Sequence, residues 1–350
     1  MGRFFTGICG VLALLASCRI PSPSSSWTVM TWNVQNLFDG IDDGNEYPEF
    51  DPGTDDWNDR LYRRRLDRTG DVLLAAVDGG ADVLVLQELE KPGILDDLAE
   101  GPLRGRGYRW RLAVPGYGII RCGVLSRYPI RDVVVADCGL WNGRSLRPVL
   151  QFCLESPDGP VTVFAVHWKS PRDGREPTEA ARIREARILH GRIAGVLEVH
   201  PDRPVLLLGD WNTPGDAAVR PAALAPAELR TADGGGPAIL YRSPDPDALS
   251  RSGDVPVFYD PEPAGAPGGT YVFRDRWERP DRILVDPNFV ESLGPGRCRV
   301  GGAEVMADGF GRPYRWISDI GEGYSDHLPL LLIVDPGDRP ENRRFGNDEP

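Results

Sequence analysis

The sequence predicts an α/β fold in which sheets of mixed strand direction face each other inside an outer skin of helices. Three observations carry this expectation. Short runs rich in Val, Ile and Leu recur between loop residues along most of the chain, the pattern of strands buried on both faces. Longer stretches with helical spacing separate some of them. The connections are of both hairpin and helix length, so parallel and antiparallel neighbours should share a sheet.

The clearest apolar runs are Thr28–Val34, Asp82–Gln87, Gly123–Ser126, Val161–Trp168, Val205–Gly209, Arg282–Val285 and Leu328–Val334. Tyr62–Val77, charged early and apolar late, reads as a helix. Thr178–Val199 reads as another, because Ala186, Leu189, Ile193, Val196 and Leu197 recur at three- and four-residue spacings, with Thr178 as its N-cap. Asp39–Asp59 and Asp216–Gly269 are dense in Pro, Gly and Asp and read as long surface loops. No linker divides two cores, so residues 27–334 are expected to form one domain.

With 350 residues, 41% of them hydrophobic and 26% charged, the chain can bury a large core. Its 41 glycines and 33 prolines suit a loop-rich sheet protein better than a helical bundle. A net charge of −12 argues against a sequence-reading nucleic-acid module, which needs a basic face to replace phosphate counterions. An enzyme that grips a single phosphodiester with a metal ion and a few arginines is compatible with that charge.

Residues 1–17 read as a signal peptide, with Arg3 in a positive leader and an apolar stretch Gly7–Ala16 too short to span a bilayer. Leu15-Ala16-Ser17-Cys18 resembles a bacterial lipoprotein signal, which implies lipidation at Cys18, a tether over residues 18–26 and a membrane-anchored protein facing the periplasm or cell exterior. Plain secretion is the alternative. Residues 335–350 are expected to be disordered. Cys122, Cys138, Cys153 and Cys298 lack zinc spacing and read as disulfides or buried thiols.

The informative pattern is where polar residues fall relative to the strands. Asn33, Glu88, His167, and Asp210 with Asn212 each follow or end an apolar run, whereas Asp281 and the Ser325-Asp326-His327 triplet each precede one. If the last two strands run opposite to the others, all these groups meet at one edge. Any single one reads as an ordinary turn former. Their recurrence at strand after strand points to a site, and two of the chain's four histidines, His167 and His327, lie in it.

The segments Met30-Thr-Trp-Asn-Val-Gln-Asn, Leu86-Gln-Glu, Val124-Leu-Ser-Arg-Tyr-Pro-Ile, Ala165-Val-His-Trp-Lys-Ser, Gly209-Asp-Trp-Asn-Thr-Pro, Asp281-Arg-Ile-Leu and Ser325-Asp-His-Leu-Pro together resemble the successive motifs of the endonuclease/exonuclease/phosphatase superfamily. The resemblance covers roughly Trp27 to Val334. It implies a four-layer α/β/β/α sandwich with two mixed sheets packed face to face, and hydrolysis of a phosphate ester with a divalent metal. It makes Glu88, with Asn33 and Asp326, the metal ligands. It also makes Asp210 the group that aligns or deprotonates water, Asn212 a phosphate contact, His327 a phosphate-facing group oriented by Asp281, and His167 a second phosphate or leaving-group histidine. Oxygen donors without cysteine suit Mg²⁺ or Mn²⁺.

The stretch Tyr117-Gly-Ile-Ile-Arg-Cys-Gly offers no carboxylate partner for His167 of the kind some family nucleases have, and the 216–269 loop does not align. Lys169, Arg144, Arg147 and Arg182 are candidates to bind the substrate's negative charge, although helix arginines such as Arg182 commonly form a solvated face. The acidic stretch containing Asp39, Asp42, Asp43, Glu46, Glu49 and Asp51 lacks the glycine and terminal glutamate of an EF-hand and reads as solvated. An extracytoplasmic nuclease acting on nucleic acid is the leading expectation, with no protein partner. A phospholipase C-type hydrolase such as a sphingomyelinase is the second. A non-catalytic binding lipoprotein is the third, disfavoured because binding alone would not require every motif residue. No exposed aromatic hairpin of a membrane-inserting kind is evident.

Overall fold

The computed structural model describes residues 26–54, 56–116, 118–213, 219–221, 240–243, 257–266, 268–290, 293 and 297–335. The signal segment, Cys18, most of the 216–269 loop and the tail beyond Asp335 lie outside the described residues.

In chain order the strands are β1 (Trp27–Leu37), β2 (Val83–Leu89), β3 (Trp110–Ala113), β4 (Arg121–Ser126), β5 (Ile130–Ala136), β6 (Leu140–Trp141), β7 (Arg144–Ser145), β8 (Val149–Ser156) and β9 (Gly159–His167). They continue with β10 (Val205–Asp210), β11 (Val219–Pro221), β12 (Leu240–Ser243), β13 (Val257–Tyr259), β14 (Tyr271–Phe273), β15 (Arg276–Glu278), β16 (Asp281–Val285), β17 (Cys298–Val300) and β18 (Leu330–Val334). One sheet has the order β17-β18-β1-β2-β4-β3 and the other β11-β12-β13-β16-β10-β9-β8-β5. The main helices are α1 (Asp59–Ala75), α2 (Gly93–Glu100) and α3 (Arg175–Val199).

The central strands are apolar at nearly every position because both of their faces are covered. Val29, Val83 and Val85 meet Phe152, Val163, Leu206 and Leu208 between the sheets. Their neighbours point the other way, as the period of two requires. Met30, Leu84 and Leu86 pack under Leu66 and Leu73 of α1 and Ile94 and Leu98 of α2. Phe164, Val205 and Leu207 pack under Ala186, Leu189 and Ile193 of α3. The result is the expected α/β/β/α sandwich.

Strand direction brings the polar ends together. β1 runs parallel to β2, and β9 parallel to β10. β16 is antiparallel to β10 and β18 antiparallel to β1. The C-terminal ends of the first four strands therefore share one edge with Asp281 at the start of β16 and His327 just before β18.

Local details differ from the sequence reading for physical reasons. α1 starts at Asp59, with the Asn58 side chain accepting from the Leu61 N–H (3.2 Å). α3 starts at Arg175, because Gly174 at φ 100° makes the turn into it and Pro177 sits in the first turn, where no donor is needed. Thr178 is thus not the N-cap; its hydroxyl donates back to the Gly174 carbonyl (2.6 Å). The stretch after Asp39 is pinned rather than merely solvated. Phe38 stacks on Phe50 at 5.1 Å, Phe50 meets Trp57 edge-on, and the Trp57 indole donates to the Asp39 carbonyl. Cys122, Cys138, Cys153 and Cys298 are unpaired and buried, and burial pushes Cys122, Cys138 and Cys298 up to about 12, which makes them inert thiols.

Gly209 shows how tightly the site edge is built. Its φ is 135°, and a Cβ there would lie 2.0 Å from the Val166 carbonyl oxygen on the neighbouring strand. Gly209→Ala is expected to destabilise the protein by about 3 kcal/mol or more, since both the clash and the backbone must be relieved. Gly191, exposed within α3 with open space around it, is the control. Gly191→Ala is expected to stabilise by roughly 0.5–1 kcal/mol. Denaturant midpoints of the two variants check both signs.

Candidate active site

Each side chain at the site edge is delivered by a strand end and held by a named partner. Asn33, near the end of β1, donates from Nδ2 to Asp210 Oδ2 (3.0 Å) and accepts the Gln35 N–H at Oδ1 (2.9 Å). Gln35 and Asn36 both have φ 55°, so β1 ends in a left-handed turn. Glu88 itself sits at φ 69°, where the pairing of β2 with both neighbours slips. This conformation, strained for a glutamate, turns its carboxylate to the edge, where Oε2 accepts the Asn36 N–H (2.8 Å).

Asp210 is buried. Its Oδ1 accepts the Asn212 N–H (2.9 Å) and its Oδ2 the amides of Asn33 and Asn212 (both 3.0 Å). Burial pushes its carboxyl up to about 7 against the charge of His327, which pulls it down. Asn212 also donates to the Trp168 carbonyl (3.0 Å), which fixes its own orientation.

His327 Nδ1 lies 2.8 Å from Asp281 Oδ2, and the same carboxylate oxygen accepts the Thr270 hydroxyl (2.5 Å). Burial alone would lower the imidazole, but the charge and hydrogen bond of Asp281, with Asp210 and Asp326 nearby, raise it to about 10. His327 is therefore an imidazolium at neutral pH. Tyr271 covers its ring at 4.7 Å, and the Trp32 indole donates to its carbonyl (2.8 Å).

His167 is the opposite case. Its Nε2 lies 3.5 Å from Glu88 Oε1 and 3.6 Å from Asp210 Oδ2. Burial, with the positive charges of Arg147, His327 and Arg172, holds it well below its ordinary value, so it is a neutral imidazole. Among the described residues its buried Nδ1 has no hydrogen-bond partner, in keeping with the carboxylate that the sequence does not supply.

Donor atoms of Asp210, Asp281 and His327 lie within 4.8 Å of one another. Because the His327 ring is already paired with Asp281, this group is an ion pair beside a second carboxylate rather than an open cation cage. Glu88 Oε2 is engaged by the Asn36 N–H, which leaves Oε1 turned to the edge 3.5 Å from His167 Nε2; Asp281 Oδ1 is also buried without a hydrogen-bond partner among the described residues, and oxygen donors from Glu88 and Asn33 suit a hard divalent cation. Asp326 is half-buried and acts electrostatically on His327 and on Arg65.

The basic residues divide. Arg147 donates to the Trp168 carbonyl (3.0 Å) and its charge reaches His167, so it stands beside the cleft. Lys169 is bound to Asp173 (2.8 Å) at its rim. Arg182 is neither solvated nor turned to a substrate: it is buried and donates to Lys169 O (3.1 Å), Thr178 Oγ1 (2.8 Å) and Arg175 O (2.9 Å), clamping the segment after β9.

Some contributors escaped the sequence reading. Arg65, buried on α1, donates to the carbonyls of Val34 and Gln35 and lies over the Trp316 ring at 4.6 Å, holding the turn that ends β1. Its spacing from Leu61 and Thr69 on the covered face of α1 was the available signal. Thr270 and Tyr271 come from a poorly patterned segment and carried none. Arg172, whose charge is felt at His167, Tyr47 and Tyr271, is hidden in a short turn.

Residues 30–327 match the Endonuclease/Exonuclease/phosphatase family. The chain belongs to this family. The fold is similar to that of truncated Caenorhabditis elegans TDP2, with 15% identity, a TM-score of 0.51, and coverage of 89% of this chain and 97% of that one. It is equally similar to an endonuclease/exonuclease/phosphatase family protein from Bacteroides thetaiotaomicron, with 15% identity, a TM-score of 0.51, and coverage of 89% and 95%. No curated protein sequence matches the chain. Family membership supports hydrolysis at phosphoester bonds.

The His327–Asp281 pair has a definite pH signature. An imidazole raised in the folded state contributes stability that is fully present below its unfolded value near 6.5 and is lost as pH rises through about 10. The stability difference between the wild type and Asp281→Asn is therefore expected to shrink steadily from pH 6.5 to pH 10. Urea titrations across that range check it; a constant difference would show that the pair is not charged.

Proposed function

We propose that the protein is a Mg²⁺- or Mn²⁺-dependent phosphodiesterase acting on nucleic acid. The observation that carries this reading is the convergence at one edge of His327 paired with Asp281, the Asp210 carboxylate held by Asn33 and Asn212, and the Glu88 carboxylate beside His167. Asp210 and His327 are both raised from their ordinary values, to about 7 and about 10, which puts a base that titrates near neutral pH beside a charged imidazolium.

In this reading Asp210 takes a proton from the attacking water while Asn33 and Asn212 hold its carboxylate in place. The water oxygen bonds to phosphorus and the ester P–O bond breaks with its electron pair going to the leaving oxygen, which takes a proton from solvent as the Asp210 carboxyl returns its own. The His327 imidazolium, its ring fixed by Asp281, Thr270 and Tyr271, faces the negative charge that builds on the phosphate oxygens. His167, neutral and unable to repel the cation, closes the cleft from the other sheet. Glu88, Asn33 and Asp326 would hold the metal, which when bound supplies Lewis-acid charge to the phosphate. Arg147, Arg172 and Lys169 furnish local positive charge for a polyanion despite the chain's net −12.

A phospholipase C-type reading is favoured by one feature that the sequence did not reveal. The β14–β15 hairpin, whose Tyr271 covers His327, carries Phe273 at 47% exposure, and the Asp275–Arg312 ion pair (2.8 Å) ties it to the turn bearing Phe310 at 88% exposure. A base or a lipid could meet this surface. Turnover of DNA, RNA, sphingomyelin and phosphoinositides by the protein lacking residues 1–17, with Mg²⁺ or with EDTA, separates the readings.

Glu88→Ala is expected to abolish metal-stimulated turnover with the fold intact. His327→Ala is expected to lower kcat/KM by about 10²–10⁴, and adding Asp281→Asn to it should cost little more, because residues serving one function are non-additive. If the two losses multiply, Asp281 does not act through His327.

We further propose export and lipid anchoring at Cys18, on the strength of the Leu15-Ala16-Ser17-Cys18 segment. Wild-type protein is expected in the detergent phase on partitioning and Cys18→Ser in the aqueous phase. A soluble wild-type protein whose mature start is not Cys18 would leave secretion alone.

A further inference from the structure

Glu185 on α3 is fully enclosed, yet the chemistry proposed for the cleft makes no use of it. Its Oε2 accepts the Lys169 N–H (3.0 Å). That N–H belongs to the same planar peptide unit as the Trp168 carbonyl, whose oxygen accepts from Arg147 and from Asn212 (3.0 Å each). A tilt of the plane at its nitrogen end therefore moves the oxygen that orients Asn212. The neighbouring groups leave little slack: the Trp168 N–H donates to the Asp210 carbonyl (2.9 Å), and Arg182, three residues before Glu185 on α3, donates to the Lys169 carbonyl (3.1 Å). His167 directly precedes this strap.

Among the described residues Glu185 Oε1 is buried without a hydrogen-bond partner. The groups facing the carboxyl are Arg147 from the segment before β8, Arg182 on its own helix, Lys169 after β9 and the Cys138 thiol after β5, itself neutral because burial pushes it up to about 12. Burial outweighs the three cations and pushes Glu185 up to about 8. With its proton, the carboxyl puts no charge in the dry interior and leaves both arginines on their carbonyls. Without it, Oε1 is a bare anion, which attracts a guanidinium more strongly than a carbonyl dipole does. An arginine drawn to it lets go of the Trp168 or Lys169 carbonyl.

We propose that Glu185 is a positioning residue for the reaction: protonated, it holds the Trp168–Lys169 peptide in the orientation that places Asn212 and His167, and loss of its proton releases that peptide and slows turnover. The effect on turnover rests on the phosphodiesterase reading, whereas the clamp is a property of the fold and is read without activity. The bonds at both ends of one peptide account for a buried carboxyl kept close to the cleft but out of reach of the substrate.

Lys91 and Lys169 are the chain's lysines, so protein labelled with ¹⁵N at lysine alone gives one backbone amide signal from each. In the wild type the Lys169 signal is expected to move through a titration centred near pH 8, and in Glu185→Gln, whose amide oxygen still accepts the N–H, to stay in place while Lys91 behaves alike in both. On a phosphodiester at saturating Mg²⁺, wild-type kcat is expected to fall roughly tenfold from pH 7 to pH 9, the ratio that one group ionising at about 8 gives, whereas Glu185→Gln should hold its rate. Glu185→Leu, which offers no acceptor, should lower kcat by about 10²-fold at pH 7 with KM little changed. A wild-type Lys169 amide that does not titrate, or one that titrates equally in Glu185→Gln, would overturn the clamp. Equal alkaline losses of kcat in wild type and Glu185→Gln would overturn its part in turnover. If no phosphodiester is turned over, the activity reading fails and the amide signals still decide the clamp.

Discussion

Among the described residues two side-chain hydrogen bonds cross from one sheet to the other at the site edge, and the arrangement of the cleft depends on them. Asp281 starts β16 in one sheet and His327 precedes β18 in the other, and their 2.8 Å contact is a buried ion pair spanning the sandwich. Asn33 to Asp210 is the second crossing, at 3.0 Å. Behind this edge the sheets meet mainly through apolar side chains, which tolerate small slips. A charged hydrogen bond does not, because a displaced partner leaves a bare charge in a dry interior. The sheet-to-sheet register at this edge is thus set by polar geometry, and the apolar core behind it supplies the cohesion.

That division explains how much could be read from the sequence. The strands were legible because burial on both faces writes an almost unbroken apolar run, and a polar residue at the end of such a run stands out. Asn33, Glu88, His167 and Asp210 at the ends of such runs, and His327 before one, stood out in this way, and the fold brings them to one edge. The groups that hold them were not. Arg65 is one of three consecutive arginines, and only the face of α1 that it occupies sends it inward to the carbonyls ending β1. Thr270 and Tyr271 lie in a glycine- and proline-rich stretch with no period to place them, yet they touch Asp281 and His327 directly. Arg182 was visible as a charge and misread as to purpose, since a solvated helix face is the usual fate of such a residue.

Electrostatics at the edge follow from burial and from the order of charges. His327 and His167 are both enclosed, but His327 holds a direct 2.8 Å contact with Asp281, whereas His167 has no such contact and its burial, with the charges of Arg147, His327 and Arg172, disfavours the proton. The same ring is therefore protonated in the first place and neutral in the second. A protonated His167 would repel a cation held by Glu88, whose Oε1 is 3.5 Å away, so the neutral form is the one compatible with a metal there. The left-handed backbone at Glu88 and Asn212 adds a cost that only a well-packed surround can carry.

The segment after β9 shows where the positive charge of this acidic chain is used. The Trp168 carbonyl accepts from both Arg147 and Asn212 (3.0 Å each), while the Trp168 N–H donates to the Asp210 carbonyl (2.9 Å). One residue along, the Lys169 N–H donates to Glu185 and the Lys169 carbonyl accepts from Arg182, both on α3. Glu185 is buried and pushed up to about 8, so at neutral pH it serves as a largely uncharged acceptor rather than a counter-ion. The arginine and glutamate of α3 thus clamp the backbone that carries His167 and braces Asn212. Charge placed in this way costs desolvation but fixes the edge that carries His167 and Asp210, and the remaining positive charges around it are those of the turn and the rim, Arg172, Arg147 and the Asp173-paired Lys169.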